Sequence, residues 1–183
     1  MADIKLVRAG GRLAGVVGEQ LVDLLLELPA SSAGVRGQSL GAQVGGYWRI
    51  DSNFNNPDPT GVFLGEYDGE PVHLRSDVHL TPQFAVRHAD VSGSVGEREL
   101  RARVAPVEAP AHGPIVMSVD GHFDKTEITL FVTVATDLTE AHISGVIGGT
   151  TINIDATRSS VTGQYDGPAV LLPLLVSCLL FFI

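Results

Sequence analysis

The chain is poor in most of what marks a function class. It has one cysteine, Cys178, which excludes an intramolecular disulfide framework and a cysteine-rich metal centre. Lysine and arginine together number 12 against 21 aspartates and glutamates, a formal net charge of −9, and the cations form no stripe. That argues against a nucleic-acid footprint and against a polybasic membrane surface. Residues 1–10 carry Asp3, Lys5 and Arg8 among their apolar positions, so they lack the apolar run of a secretory signal. The expected compartment is the cytoplasm by default, or the outside by a non-standard route. Aromatics are 6% of the chain, which leaves the core to be built from aliphatic side chains.

Glycine, at 21 residues, is what the chain has in plenty, and it is placed with a period. The template is residues 91–104, V-S-G-S-V-G-E-R-E-L-R-A-R-V. Val91, Gly93 and Val95 alternate with serines, and Leu100, Ala102 and Val104 alternate with Glu99, Arg101 and Arg103. A period of two with one apolar and one wet face predicts a β-hairpin. Gly96-Glu97 supplies the turn, because a two-residue turn needs positive φ at its first position. The register that follows sets Val95 across from Arg98, Gly93 from Leu100 and Val91 from Ala102. The missing side chain of Gly93 would then make room for Leu100 or for a second layer above it.

The same pattern recurs along the chain, a small residue three places before a turn residue and apolar residues four and six places after it, except that the return strand after Gly45 is shifted by one, with Trp48 and Ile50 on the apolar face through an extra turn residue at Gly46 or a bulge. The turns fall at Gly18-Glu19, Gly45-Gly46, Asp68-Gly69, Gly96-Glu97, Asp124-Lys125, Gly148-Gly149 and Asp166-Gly167. Self-similarity of this kind is read before any motif. The expectation is an all-β chain, an antiparallel meander of about seven repeated β-hairpins. It should form a closed barrel or a two-layer sheet, since a wide apolar face cannot be left in water. Residues 1–183 read as a single domain. The strand after residue 70 is expected to break or bulge near Asp77. Val16, Leu21 and Leu25 fall on the wet face of the first hairpin, which should therefore be covered by the chain end or a partner.

No residue set reaches a catalytic or metal-binding assignment, and no cofactor is expected. The histidines His73, His79, His88, His112, His122 and His142 read as surface or turn residues. His73 and His79, six residues apart on one strand face, stand about 20 Å from each other and share no ligand directly. Asp51, Asn53 and Asn55 have calcium-loop spacing, but Asn56 and Val62 stand where the loop needs glycine and glutamate. Gly145 to Gly149 is no dinucleotide fingerprint, because it sits in a hairpin. Phe63, Tyr67, Phe123 and Tyr165 lie just before turns on the apolar face. They should plug one end of the core, or line a pocket if that end is open.

The C-terminal residues 170–183, V-L-L-P-L-L-V-S-C-L-L-F-F-I, carry no charge. As a helix they would span about 21 Å, short of the roughly 30 Å bilayer core, and Pro173 interrupts them. They read as an apolar terminal strand or an assembly segment, with Leu174, Leu175, Val176, Leu179, Leu180, Phe181, Phe182 and Ile183 as contact residues. The function expected is that of a non-catalytic structural or self-assembling protein, a homo-oligomer or filament, with membrane contact disfavoured but left open. The alternative is a small β-barrel that binds an apolar ligand.

Overall fold

A computed structural model describes residues 2–9, 12–27, 44–53, 56–83, 85–107 and 113–167. Within these ranges the side chains of 25–27, 44–53, 56–57 and 59 are not described. Thirteen strands follow one another: β1 Ala2–Ala9, β2 Arg12–Val17, β3 Gln20–Glu27, β4 Val44–Asn53, β5 Asn56–Tyr67, β6 Glu70–Leu80 and β7 Val86–Val95. They continue as β8 Arg98–Pro106, β9 Ile115–Phe123, β10 Thr126–Val134, β11 Glu140–Ile147, β12 Thr150–Thr157 and β13 Ser160–Tyr165.

Neighbours in sequence pair antiparallel from β4 to β13. The ladder then passes from β13 to β1 and on through β2 to β3, making one continuous antiparallel meander. Among the described strands one pair is parallel, β3 with β4, and it joins the two ends of that meander. Every described strand therefore has a hydrogen-bonded neighbour on both sides.

Five of the expected hairpins are present with their turns: β2–β3, β5–β6, β7–β8, β9–β10 and β11–β12. All five turns fall at the same end of the sheet. The first turn residue has positive φ in each, 59° at Gly18, 49° at Asp68, 55° at Gly96, 52° at Asp124 and 58° at Gly148. Aspartate tolerates this left-handed conformation better than most side chains, which is why Asp-Gly and Asp-Lys serve beside Gly-Glu and Gly-Gly. The pairing of β7 with β8 has the register read from the template, Val95 with Arg98, Gly93 with Leu100 and Val91 with Ala102.

The expected turn at Gly45-Gly46 is not one. Both glycines lie inside β4, where Gly46 pairs with Leu24 on one side and Gly65 on the other. The dipeptide has turn chemistry, but its neighbours hold it extended. The return strand after Asp166-Gly167 lies outside the described residues. Near Asp77 the strand neither breaks nor bulges. Val72, Leu74, Ser76 and Val78 are buried in unbroken alternation, and the register shift lies further on, between His79 and Leu80.

The repeated small residue has a different purpose from the one expected. A Cβ built on Gly15, Gly93, Gly121, Gly145 or Gly163 would stand 2.1, 2.0, 2.2, 2.3 or 2.3 Å from a carbonyl oxygen. Those oxygens belong to Lys5, His73, Arg101, Thr129 and Asn153, on the strand that precedes each glycine's strand in the ladder, not on its own hairpin partner. The room left by Gly93 is thus filled by the backbone of β6 rather than by Leu100. The first turn residue docks on the same preceding strand: the amides of Gly18, Gly96, Asp124 and Gly148 donate to the carbonyls of Asp3, Pro71, Glu99 and Glu127 at 2.7–2.9 Å. Glycine and turn residue, three apart, form one seam that fastens each of the hairpins β2–β3, β7–β8, β9–β10 and β11–β12 to the strand before it.

Inward positions form a single aliphatic core. Phe63, Val72, Val119, Leu130, Val132, Val134, Ile143 and Ile152 have no measurable exposure. Thirteen strands in a round section would surround space that side chains cannot fill. The described inward residues are instead 0–7% exposed and form one cluster, consistent with the two packed layers of a sandwich. The wet face of the first hairpin is only partly covered: Asp23 is buried beneath a bidentate contact from Arg12, at 2.7 and 2.8 Å, whereas Leu21 is 49% exposed.

Candidate functional site

The four aromatic residues do face inward. Phe63, Phe123 and Tyr165 are buried and Tyr67 is half-buried against the core, all toward the tight-turn end of the sheet. The Arg98 guanidinium lies between two of them, 5.9 Å from the Tyr67 ring centre and 5.3 Å from that of Phe123. Glu70 accepts a hydrogen bond from the same guanidinium at 2.6 Å. An arginine stacked between rings and held by a carboxylate closes the end of the core with a charged cap. Burial pushes the Tyr165 phenol above its ordinary pKa. The eight assembly residues between Leu174 and Ile183, together with Cys178 and His112, lie outside the described residues.

The opposite end carries a polar constellation on the outer face. Alternation sends 73, 75, 77 and 79 of β6 outward, together with 88 and 90 of β7. The register sets Asp77 across from Asp90 and His79 across from His88. On the flanks, Thr60 of β5 faces Asp77 and Arg103 of β8 faces Asp90. Two carboxylates directly opposite each other repel, and two arginines relieve them. Arg75 donates to Asp77 at 2.8–2.9 Å, and Arg103 donates to Asp90 at 2.8 and 3.3 Å. These hydrogen bonds hold both carboxyls below the ordinary range, Asp77 through Arg75 and Asp90 through Arg103.

The two histidine rings lie beside this row, their centres 4.5 Å apart and their planes 32° from parallel. Both Nε2 atoms approach one oxygen: Asp90 Oδ2 is 3.5 Å from His88 Nε2 and 3.8 Å from His79 Nε2. His79 Nδ1 faces the other way, 3.8 Å from Oδ2 of Asp58. Asp58 is itself fixed by the Leu80 amide, which donates to its Oδ1 at 3.1 Å. The residues are half-exposed, with His88 the most covered at 24%. Two imidazoles and a carboxylate, with donor atoms all within 4.8 Å of one another, are a donor set for a divalent cation.

The sequence reading placed these histidines on the surface, as the structure does, but did not bring His79 and His88 together. Antiparallel pairing of β6 with β7 in the register that runs from Val72–Val95 brings His79 and His88 face to face. No family model, no curated protein and no solved structure matches the chain.

Proposed function

We propose that the chain is a non-catalytic structural or self-assembling protein, a rigid β scaffold whose apolar segment 170–183 makes the contact with a second copy. The observation that carries this reading is the packed interior. The described inward side chains form one aliphatic core whose members are 0–7% exposed. A barrel that binds an apolar ligand needs a lumen, and the low exposure of these residues favours a filled interior. That weighs against the alternative reading.

The way copies would join also follows from the ladder. Edge-to-edge strand addition requires an unpaired strand. Each described strand has both neighbours, so a contact through the uncharged tail is favoured over growth of the sheet. The outer face argues against a lipid-embedded sheet, since Arg101, Asp120 and Asp155 are exposed at mid-strand positions and Glu99 and Glu127 near the strand starts.

Light scattering on the native particle tests the proposal, with the full chain compared with a chain ending at Ala169. Oligomers or filaments that dissociate on truncation are the expected result. A full-length variant with Leu179→Asp and Phe182→Asp should dissociate in the same way while keeping its β circular dichroism. A folded monomer of 19.3 kDa for the unmodified full chain would overturn the proposal.

A further inference from the structure

The outer face of β6 and β7 has a donor geometry that its ion pairs do not require. His79, His88 and Asp90 each offer a donor atom from two adjacent strands, and these atoms lie within 4.8 Å of one another; both Nε2 atoms face Asp90 Oδ2. Tetrahedral ligands at the usual zinc–nitrogen and zinc–oxygen lengths stand about 3.3–3.4 Å apart. The two histidine-to-aspartate separations, 3.5 and 3.8 Å, are within a few tenths of an ångström of that edge. All three side chains are partly exposed, so their rotamers can adjust toward a shared ion. We propose that His79, His88 and Asp90 bind one divalent transition-metal ion of the zinc class, with the fourth position open to water.

The groups behind the donors fit this assignment. A metal-bound imidazole commonly gives its second N–H to a carboxylate, which fixes the tautomer and aims the lone pair. Asp58 Oδ2 stands on the Nδ1 side of His79 and is held in place by the Leu80 amide. Arg103 grips Asp90 chiefly through Oδ1, at 2.8 Å against 3.3 Å for Oδ2, and so orients Oδ2 toward the rings. Imidazole nitrogens select zinc, nickel, copper or cobalt over magnesium or calcium, which prefer all-oxygen shells. The register supplies the rigidity. His79 and His88 are directly opposed, and the register shift comes only after His79. Binding would place the cation near Asp77 and Asp90, whose arginine partners already balance one charge each, so the net charge of the patch does not oppose it.

The test uses the full chain and metal alone. Zinc chloride is titrated calorimetrically at pH 7.5, and cobalt(II) binding is followed by its visible d–d absorption. The expected result is one saturable site per chain, tetrahedral by the cobalt spectrum, with magnesium giving no heat. His79→Ala and His88→Ala should each weaken zinc binding at least tenfold. Asp58→Asn should weaken it about tenfold. His142→Ala removes a histidine whose Nδ1 contacts Asp155 at 2.7 Å on a distant strand pair, and it should leave binding unchanged. Because His79 is 43% exposed, its replacement leaves the core intact, and circular dichroism checks this for each variant. Absence of a one-to-one site in the unmodified chain would overturn the proposal. So would zinc binding that survives His79→Ala and His88→Ala, which would place the metal on other histidines.

Discussion

If the repeated glycine is a seam residue, replacing one should cost far more than replacing a glycine of similar backbone strain that touches nothing. Gly93 and Gly69 make the comparison. Gly93 has φ +157°, and an added Cβ would stand 2.0 Å from the His73 carbonyl oxygen and 2.8 Å from Leu74 Cα. Both atoms are backbone in a hydrogen-bonded strand, so neither can swing aside, and β6 and β7 must part by more than an ångström. The conformational strain contributes about 1–3 kcal/mol. Forcing atoms into a packed region contributes about 1–3 kcal/mol more. Gly93→Ala is therefore expected to cost about 4 kcal/mol. Gly69 has φ +82°, and an added Cβ meets nothing within 4 Å. Gly69→Ala should carry only the left-handed penalty, about 1–2 kcal/mol. Urea unfolding followed by circular dichroism measures both. With m near 1–3 kcal/mol/M, the midpoint for Gly93→Ala should fall by about 1–2 M more than that for Gly69→Ala. Equal midpoints for the two variants would refute the seam and return the repeated glycine to a matter of turn propensity.

Two further outcomes follow from polar groups on β6 and β7. Ser76 is 1% exposed, and its hydroxyl has no hydrogen-bond partner, so Ser76→Ala should raise stability by about 1 kcal/mol; a destabilised variant would show that the hydroxyl is satisfied. Asp77 and Asp90 titrate below their ordinary value of 3.8, so their contribution is complete above that value and is lost as pH falls through the folded-state value. Urea midpoints between pH 5 and 2 should accordingly drop less steeply for Arg103→Gln than for the unmodified chain, and parallel curves would contradict the assignment.

Much of the fold can be read from the sequence because a strand's side chains alternate and a tight turn demands particular residues. Leu100, Ala102 and Val104 reveal their face by spacing alone, and Gly96 marks where the chain reverses. Those are local constraints, carried by neighbours in sequence. Gly45-Gly46 has the same local signal, yet it lies in mid-strand, because pairing with β3 and β5 outweighs the preference of a dipeptide. Asp77 misled in the opposite sense. The apolar positions Val72, Leu74, Val78 and Leu80 suggest a break or bulge near Asp77, whereas Asp77 points outward, the buried Ser76 beside it keeps the alternation, and the register shifts only between His79 and Leu80. The repeated glycine was recognised as a pattern but assigned to the wrong neighbour. Within one hairpin it faces Leu100, and only the ladder shows that the obstructing atom belongs to the strand before.

The histidine–aspartate cluster was harder to find for a related reason. His79, His88 and Asp90 have no motif spacing along the chain, and their proximity is a product of register. In an antiparallel pair the residue numbers of partners have a constant sum, and along the β6–β7 pair that sum holds from Val72 with Val95 to His79 with His88. It fails one step later, where Leu80 pairs with Val86. Counting inward from the turn, past the bulge, would therefore set His79 against Arg87 and turn His88 away from it. Counting outward from the Gly96 hairpin, along seams whose glycines fix the register, reaches the facing pair. The seam glycines and the donor cluster are thus linked. A slip of one residue at Gly93 would carry His88 and Asp90 to the inner face of β7, where alternation now places Ala89 and Val91. It would destroy the core and the candidate site together.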